Sequence, residues 1–208
     1  MEVAALVAET GARRGEYNIV FMGQGEPLHN YASVLSALRI LTDEEGFGAG
    51  PRRVTVSTVG LANRIADLAR ERVEARLAVS LVTADQGLRE RLMPVARRHP
   101  LPELAEAIRE FGRGRRDRPT LEVVLLDGVN DTAADAHKLA HFAKAAGAKV
   151  NLIEFNPAPD LEYRASPEPR IQAFLRVLRS AGVVGTVRRS RGRDAYAACG
   201  QLAFLERT

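Results

Sequence analysis

Apolar positions along this chain recur with two periods. Short, near-continuous β-branched runs alternate with longer stretches in which apolar residues return every three or four positions. The first kind predicts strands over 18–23, 53–58, 76–82, 120–126, 149–155 and 183–189. The second predicts helices, with Val34, Leu35, Leu38 and Leu41 on one face and Leu61, Ile65 and Leu68 on another. Leu101, Leu104, Ile108 and Phe111 form a third face, and Ile171, Phe174, Leu175 and Leu178 a fourth. A helix over 132–146 takes Asp131 as its N-cap and stops at Gly147; Gly182 stops the helix before the last strand. A helix over 2–14 opens the chain with no strand before it, although every later helix has one.

Runs such as IVFM, VVLL and VNLI are how strands of a parallel sheet read when helices cover a face. The alternation gives an α/β fold with right-handed crossovers. No composition shift marks a second domain. Residues 1–160 read as the main body and 161–208 as a helix, strand and cysteine-bearing loop of the same domain. Two topologies stay open, a doubly wound sheet and a barrel. A full eight-stranded barrel takes about 250 residues, so 208 suit an incomplete one better. In either topology GQGEP, STVG, DGVND, NPAPD and SRGRD directly follow strands and gather at the carboxyl edge, where ligands bind.

Hydrophobic residues at 46% and charged ones at 27% support a packed core and argue against disorder. No leader-like start is visible, and no run approaches about 18 apolar residues, so the expectation is a cytoplasmic protein without a membrane partner. Lys and Arg number 30 against 26 Asp and Glu, a net +4 that permits a nucleic-acid partner without demanding one. Arginines concentrate at 109–118 and 188–193, to be read either as solvated faces or as phosphate contacts.

Gly23-Gln24-Gly25-Glu26-Pro27 is either a tight βα turn or a loop whose glycines admit a ligand, with Glu26 accepting from an amine or ribose hydroxyls. It is not a dinucleotide fingerprint, since GxGxxG is missing. Ser57 and Thr58 end the second strand, Ser80 lies at the end of the third, and Asn151 lies within the fifth. Each alone reads as a satisfied hydroxyl or amide; their recurrence suggests a shared ligand. His137 and His141 share a helical face without a metalloprotease glutamate and read as solvated. The single cysteine, Cys199, is either an inert core residue or a nucleophile activated by nearby arginines. One thiol builds neither a disulfide nor a thiolate metal site.

From about Asn18 to Ala203 the strings FMGQGEPL, GFG with RRVTVSTVG, LAVSL, RLMPV, LDGVND, VNLIEFNP and ACGQLA follow in order. In that order the chain resembles the RlmN/Cfr family of radical S-adenosylmethionine RNA adenine-C2 methyltransferases, with the RlmN type favoured. The resemblance implies an incomplete radical-SAM (β/α)6 TIM-like barrel without its first strand and cluster loop. It implies that Gly25, Glu26, Ser57, Ser80 and Asn151 bind S-adenosylmethionine and that Cys199 is the methyl-carrying catalytic residue. Family substrates are adenines in loops of 23S rRNA and tRNA, and an external electron donor is implied. The chemistry is radical because C2 of adenine is electron-poor and does not attack a sulfonium methyl.

The same resemblance exposes departures. The family's [4Fe-4S] cluster ligands, a CxxxCxxC set, have no counterpart here, so this chain alone is expected not to methylate RNA. Val82 stands where the family has His or Asn, and Tyr196 where it has a smaller or acidic residue. A non-catalytic RNA- or nucleotide-binding barrel remnant is the alternative reading. An unrelated barrel lyase or isomerase would need a Schiff-base lysine or paired carboxylates at the strand ends. Neither is apparent.

Overall fold

A computed structural model describes residues 2–11, 16–22, 25–71, 73–157 and 162–189. Among the described residues six strands form one sheet: β1 (Ile19–Phe21), β2 (Val54–Thr58), β3 (Arg76–Ser80), β4 (Thr120–Leu125), β5 (Lys149–Glu154) and β6 (Gly185–Arg188). They pair in chain order, β1-β2-β3-β4-β5-β6, and every pair is parallel. A doubly wound sheet reverses its order at a switch point. Here every crossover steps the same way, so right-handed connections put the helices on one face. This is barrel winding. Among the described residues β1 and β6 are left as edges, and the barrel is partial.

Helix α1 (Glu2–Thr10) precedes β1, and α2 (Tyr31–Thr42), α3 (Ala62–Arg70), α4 (Gln86–Leu92), α5 (Leu101–Gly112), α6 (Ala133–Ala146) and α7 (Glu168–Ser180) lie in the connections between strands. Single 3₁₀ turns cover Pro27–Asn30 and Pro94–Arg98. The apolar stripes read from the sequence meet the sheet: Leu38, Ile65, Leu104, Ile108 and Leu178 are sealed from solvent against Val54, Val79, Leu121 and Leu152. Each such side chain contributes about 1.5–3 kcal/mol by leaving water. Burial alternates along β2 and β4, with Val54, Val56, Leu121 and Val123 buried and Thr55, Ser57 and Glu122 half-buried. The second set therefore faces away from the helices, on the concave side.

Several expected boundaries move. The strands are shorter, and β3 stops at Ser80 because Thr83 N–H donates to Leu81 O at 2.8 Å, closing a turn around Val82. Val82 sits at φ 67°, a region that β-branched residues occupy only under strain. Asn and His enter it several-fold more readily than a β-branched residue does. The N-cap of α6 is Thr132, not Asp131: Thr132 and Asp135 form a reciprocal capping box. Asp131 is engaged elsewhere. The opening helix covers Glu2–Thr10, with residues 12–14 of the expected span outside the described residues; Leu61 is the N-cap of α3 rather than part of it, and α4 was not anticipated. Gly147 and Gly182 stop α6 and α7 as expected, at φ 63° and 74°.

Candidate functional site

Strand register builds the site. Ser80 pairs with Glu122, Glu122 with Asn151, and Asn151 with Thr186, so four polar side chains form one row across β3–β6 on the concave face. Ser57 pairs with Ala78, placing it on the same face one pleat nearer the amino ends. Asn151 Nδ2 donates to Glu122 Oε2 at 2.8 Å, and Thr186 Oγ1 donates to Asn151 Oδ1 at 3.0 Å. Burial pushes the Glu122 carboxyl above its ordinary value; the Asn151 hydrogen bond and the Arg188 and Lys149 charges pull against it. At the β1 end the same face turns apolar, with Val20 and Met22 exposed at 47% and 43%. Polar groups beside an apolar shelf suit a nucleoside, which has hydroxyls on its sugar and a flat base.

Glu26 lies elsewhere on the rim. Gly25, at φ 89°, turns the chain where a side chain would strain it. Glu26 then receives Leu28 N–H on Oε1 at 2.9 Å and Val59 N–H on Oε2 at 2.7 Å. It ties the loop after β1 to the end of β2. Val59 O in turn accepts from Arg89 Nη2 at 3.0 Å, and Arg89 Nη1 donates to His99 O at 3.0 Å. Arg89 is wholly buried with its Nε unpartnered, and burial lowers its pKa to about 10. Gly60, at φ 94°, is required here: a Cβ would meet Arg89 Nη2 at 3.0 Å.

A second clamp holds the loops after β3 and β4. Asn130 is buried; its Nδ2 donates to Val82 O and Val124 O at 2.9 Å each, and its Oδ1 accepts from Leu126 N–H at 2.8 Å. Asp131 accepts from Gly128 N–H at 3.1 Å and from Arg170 at 3.0 Å; Arg170 also reaches Asp127 at 2.9 Å.

Of the residues expected to bind a ligand, Ser80 and Asn151 share the polar row, Ser57 borders it, and Gly25 and Glu26 stand at the β1–β2 rim. Among the described residues, Glu26, Ser57 and Ser80 do not hydrogen-bond to Asn151. Cys199 lies outside the described residues, as do Gly23, Gln24, Tyr196 and Arg191. The first arginine cluster precedes β4, at the edge opposite the rim. Arg109 and Arg113 pair with Glu106 and Glu110, and Arg115 binds Phe111 O and Val73 O. Arg188 ends β6 on the rim side, and Arg189 follows it. His137 and His141 line a groove of about 670 Å³ between α5 and α6, on the helical side.

Sequence reading missed Glu122, Thr186 and Arg89. Glu122 left one signal, a carboxylate inside the apolar run TLEVVLL, where burial without a partner is costly.

Residues 1–142 match the model of the radical SAM superfamily. Among relatives, a "Probable dual-specificity RNA methyltransferase RlmN" of Flavobacterium psychrophilum is 43% identical over 189 residues, 91% of this chain and 54% of the relative. A "Dual-specificity RNA methyltransferase RlmN" of Phenylobacterium zucineum is 47% identical over 186 residues, 89% and 48% of the two chains. The chain thus spans about half the length of the curated relatives it matches. The crystal structure of a radical SAM methyltransferase from Sphaerobacter thermophilus superposes with a TM-score of 0.86 at 44% identity, covering 96% of this chain and 58% of that one.

Proposed function

The chain belongs to the radical SAM superfamily, and from that premise we propose that it carries the S-adenosylmethionine-binding face of an RNA adenine-C2 methyltransferase of the RlmN type. The observation that carries this is the row Ser80, Glu122, Asn151 and Thr186, in register on the open concave face. Its chemistry, donors and acceptors running from half-buried Ser80, Glu122 and Asn151 to exposed Thr186 beside an apolar shelf, fits a nucleoside cofactor.

When bound, S-adenosylmethionine supplies a methyl group activated on a sulfonium. Ser57, Ser80 and Asn151 would hold its hydroxyls and amino-acid end, and the Gly25–Glu26 turn would border it. Cys199 is the proposed methyl carrier. Its sulfur would serve as the nucleophile toward the methyl group that S-adenosylmethionine would supply. The superfamily's [4Fe-4S] cluster does not fit this chain's own residues, because one cysteine cannot supply the thiolates that hold it. Radical formation is therefore not assigned to any residue here. The proposed substrates are adenines in rRNA and tRNA loops, which present an unstacked base, and the proposed compartment is the cytoplasm.

Calorimetric titration with S-adenosylhomocysteine tests the reading. Asn151→Ala with Ser80→Ala is expected to weaken binding about tenfold or more, the loss of roughly two hydrogen bonds. Unchanged affinity in that double variant would overturn it. For RNA, reversing charge at Arg188, Arg189 and Arg191 should weaken loop binding and flatten its salt dependence. The chain by itself should leave adenine C2 unlabelled.

A further inference from the structure

We propose that Glu122 and Thr186 are positioning residues that lock the side-chain amide of Asn151 in one orientation, NH₂ toward β4 and carbonyl toward β6. The proposal rests on the reading that Asn151 holds the nucleoside ligand, and it adds two residues that this reading did not use. The two ends of an asparagine amide are nearly equal in size, so sterics alone do not choose between them. Chemistry does. An ionised carboxylate only accepts, so the group facing Glu122 must be the NH₂, as it is at 2.8 Å. The Thr186 hydroxyl donates to the opposite end at 3.0 Å, with Val150 O a longer second acceptor at 3.4 Å.

All three residues sit in register on adjacent strands, so the sheet itself sets their spacing. Fixing Asn151 from both sides leaves one N–H and one carbonyl lone pair for a ligand on the concave face. Asn151 then does not have to be reoriented on binding. Among the described residues, only one oxygen of Glu122 receives a hydrogen bond, from Asn151. Thr186 is exposed. Neither residue is needed to fill the core, so a role in stability alone does not account for the arrangement.

The test is a set of affinities for S-adenosylhomocysteine, with thermal midpoints measured alongside. Glu122→Leu should weaken binding about tenfold and Thr186→Val about threefold, without lowering the midpoint. Glu122→Gln should return affinity to within about twofold, because its carbonyl still accepts from Asn151. In an Asn151→Ala background, Glu122→Leu should cost nothing further. Additive losses, or a Gln variant as weak as Leu, would show Glu122 acting on the ligand directly and overturn the inference. So would full affinity in Glu122→Leu. If the unaltered chain does not bind at all, or Asn151→Ala binds normally, the functional reading itself falls and takes the inference with it.

Discussion

Two arginines secure the loops at the carboxyl edge of the sheet, and they do it by opposite means. Arg89 is wholly buried and, among the described residues, binds only backbone carbonyls, Val59 O and His99 O. The Arg170 side chain is 49% exposed and binds two carboxylates, of which Asp131 is completely buried. In the first clamp the buried charge is the arginine itself, offset by dipoles alone. In the second the buried charge is the aspartate, and the arginine sits half in water. The expensive partner to orphan therefore differs: two carbonyls and a large volume at Arg89, a single carboxylate at Arg170.

The largest expected effect is Arg89→Ala. A cavity and two unpaired carbonyls should lower unfolding free energy by about 3–5 kcal/mol, measured with denaturant. Arg89→Met refills the volume without a charge to desolvate and should recover more than half of that. If Met is as damaging as Ala, hydrogen bonding outweighs packing and the first half of the contrast fails. Asn130→Ala comes next, at about 2–4 kcal/mol, since it removes three buried hydrogen bonds and frees the strained turn at Val82. Adding Val82→Asn should restore part of the loss by relaxing the left-handed backbone. A double variant no more stable than Asn130→Ala would mean that the turn holds no strain.

Arg170→Ala should cost about 2 kcal/mol, because the buried Asp131 carboxylate loses its cation but keeps its bond from Gly128 N–H. A loss as large as that of Arg89→Ala would erase the distinction between the clamps. The smallest effect is a pH slope. The folded-state pKa of Glu122 is raised, so folding takes up a proton between its ordinary value and the raised one. Stability falls as pH rises through that window, and Glu122→Gln should flatten the fall. A slope unchanged in that variant would place the proton uptake on another group.

The contrast also explains what the sequence revealed. The six described strands were legible because their β-branched runs are nearly unbroken, and the loops at the carboxyl edge were legible because glycine-rich strings follow them. Ser80 and Asn151 were found one by one, but the row joining them was not. Register is a property of strand pairs, and no single strand encodes it. Glu122 and Thr186 became visible only through that pairing. Arg89 was hidden for another reason: within QGLRERL it is one charge among several, and the string carries no apolar periodicity to mark which charge is buried. Its burial depends on Gly60 leaving room, 29 positions earlier in the chain. The N-cap of α6 was misplaced by one residue because Asp131 and Thr132 are both good caps, and Arg170 claims the aspartate.

One-way winding carries a consequence for assembly. Each strand pairs with the next in the chain, as Leu121 does with Val150 and Val150 with Gly185, so sheet contacts close over modest loops and contact order stays low for a parallel fold. From β2 onward, a strand leaving the ribosome finds the neighbour before it already made. The molecule can grow by accretion, one strand–helix unit at a time, toward the β6 side.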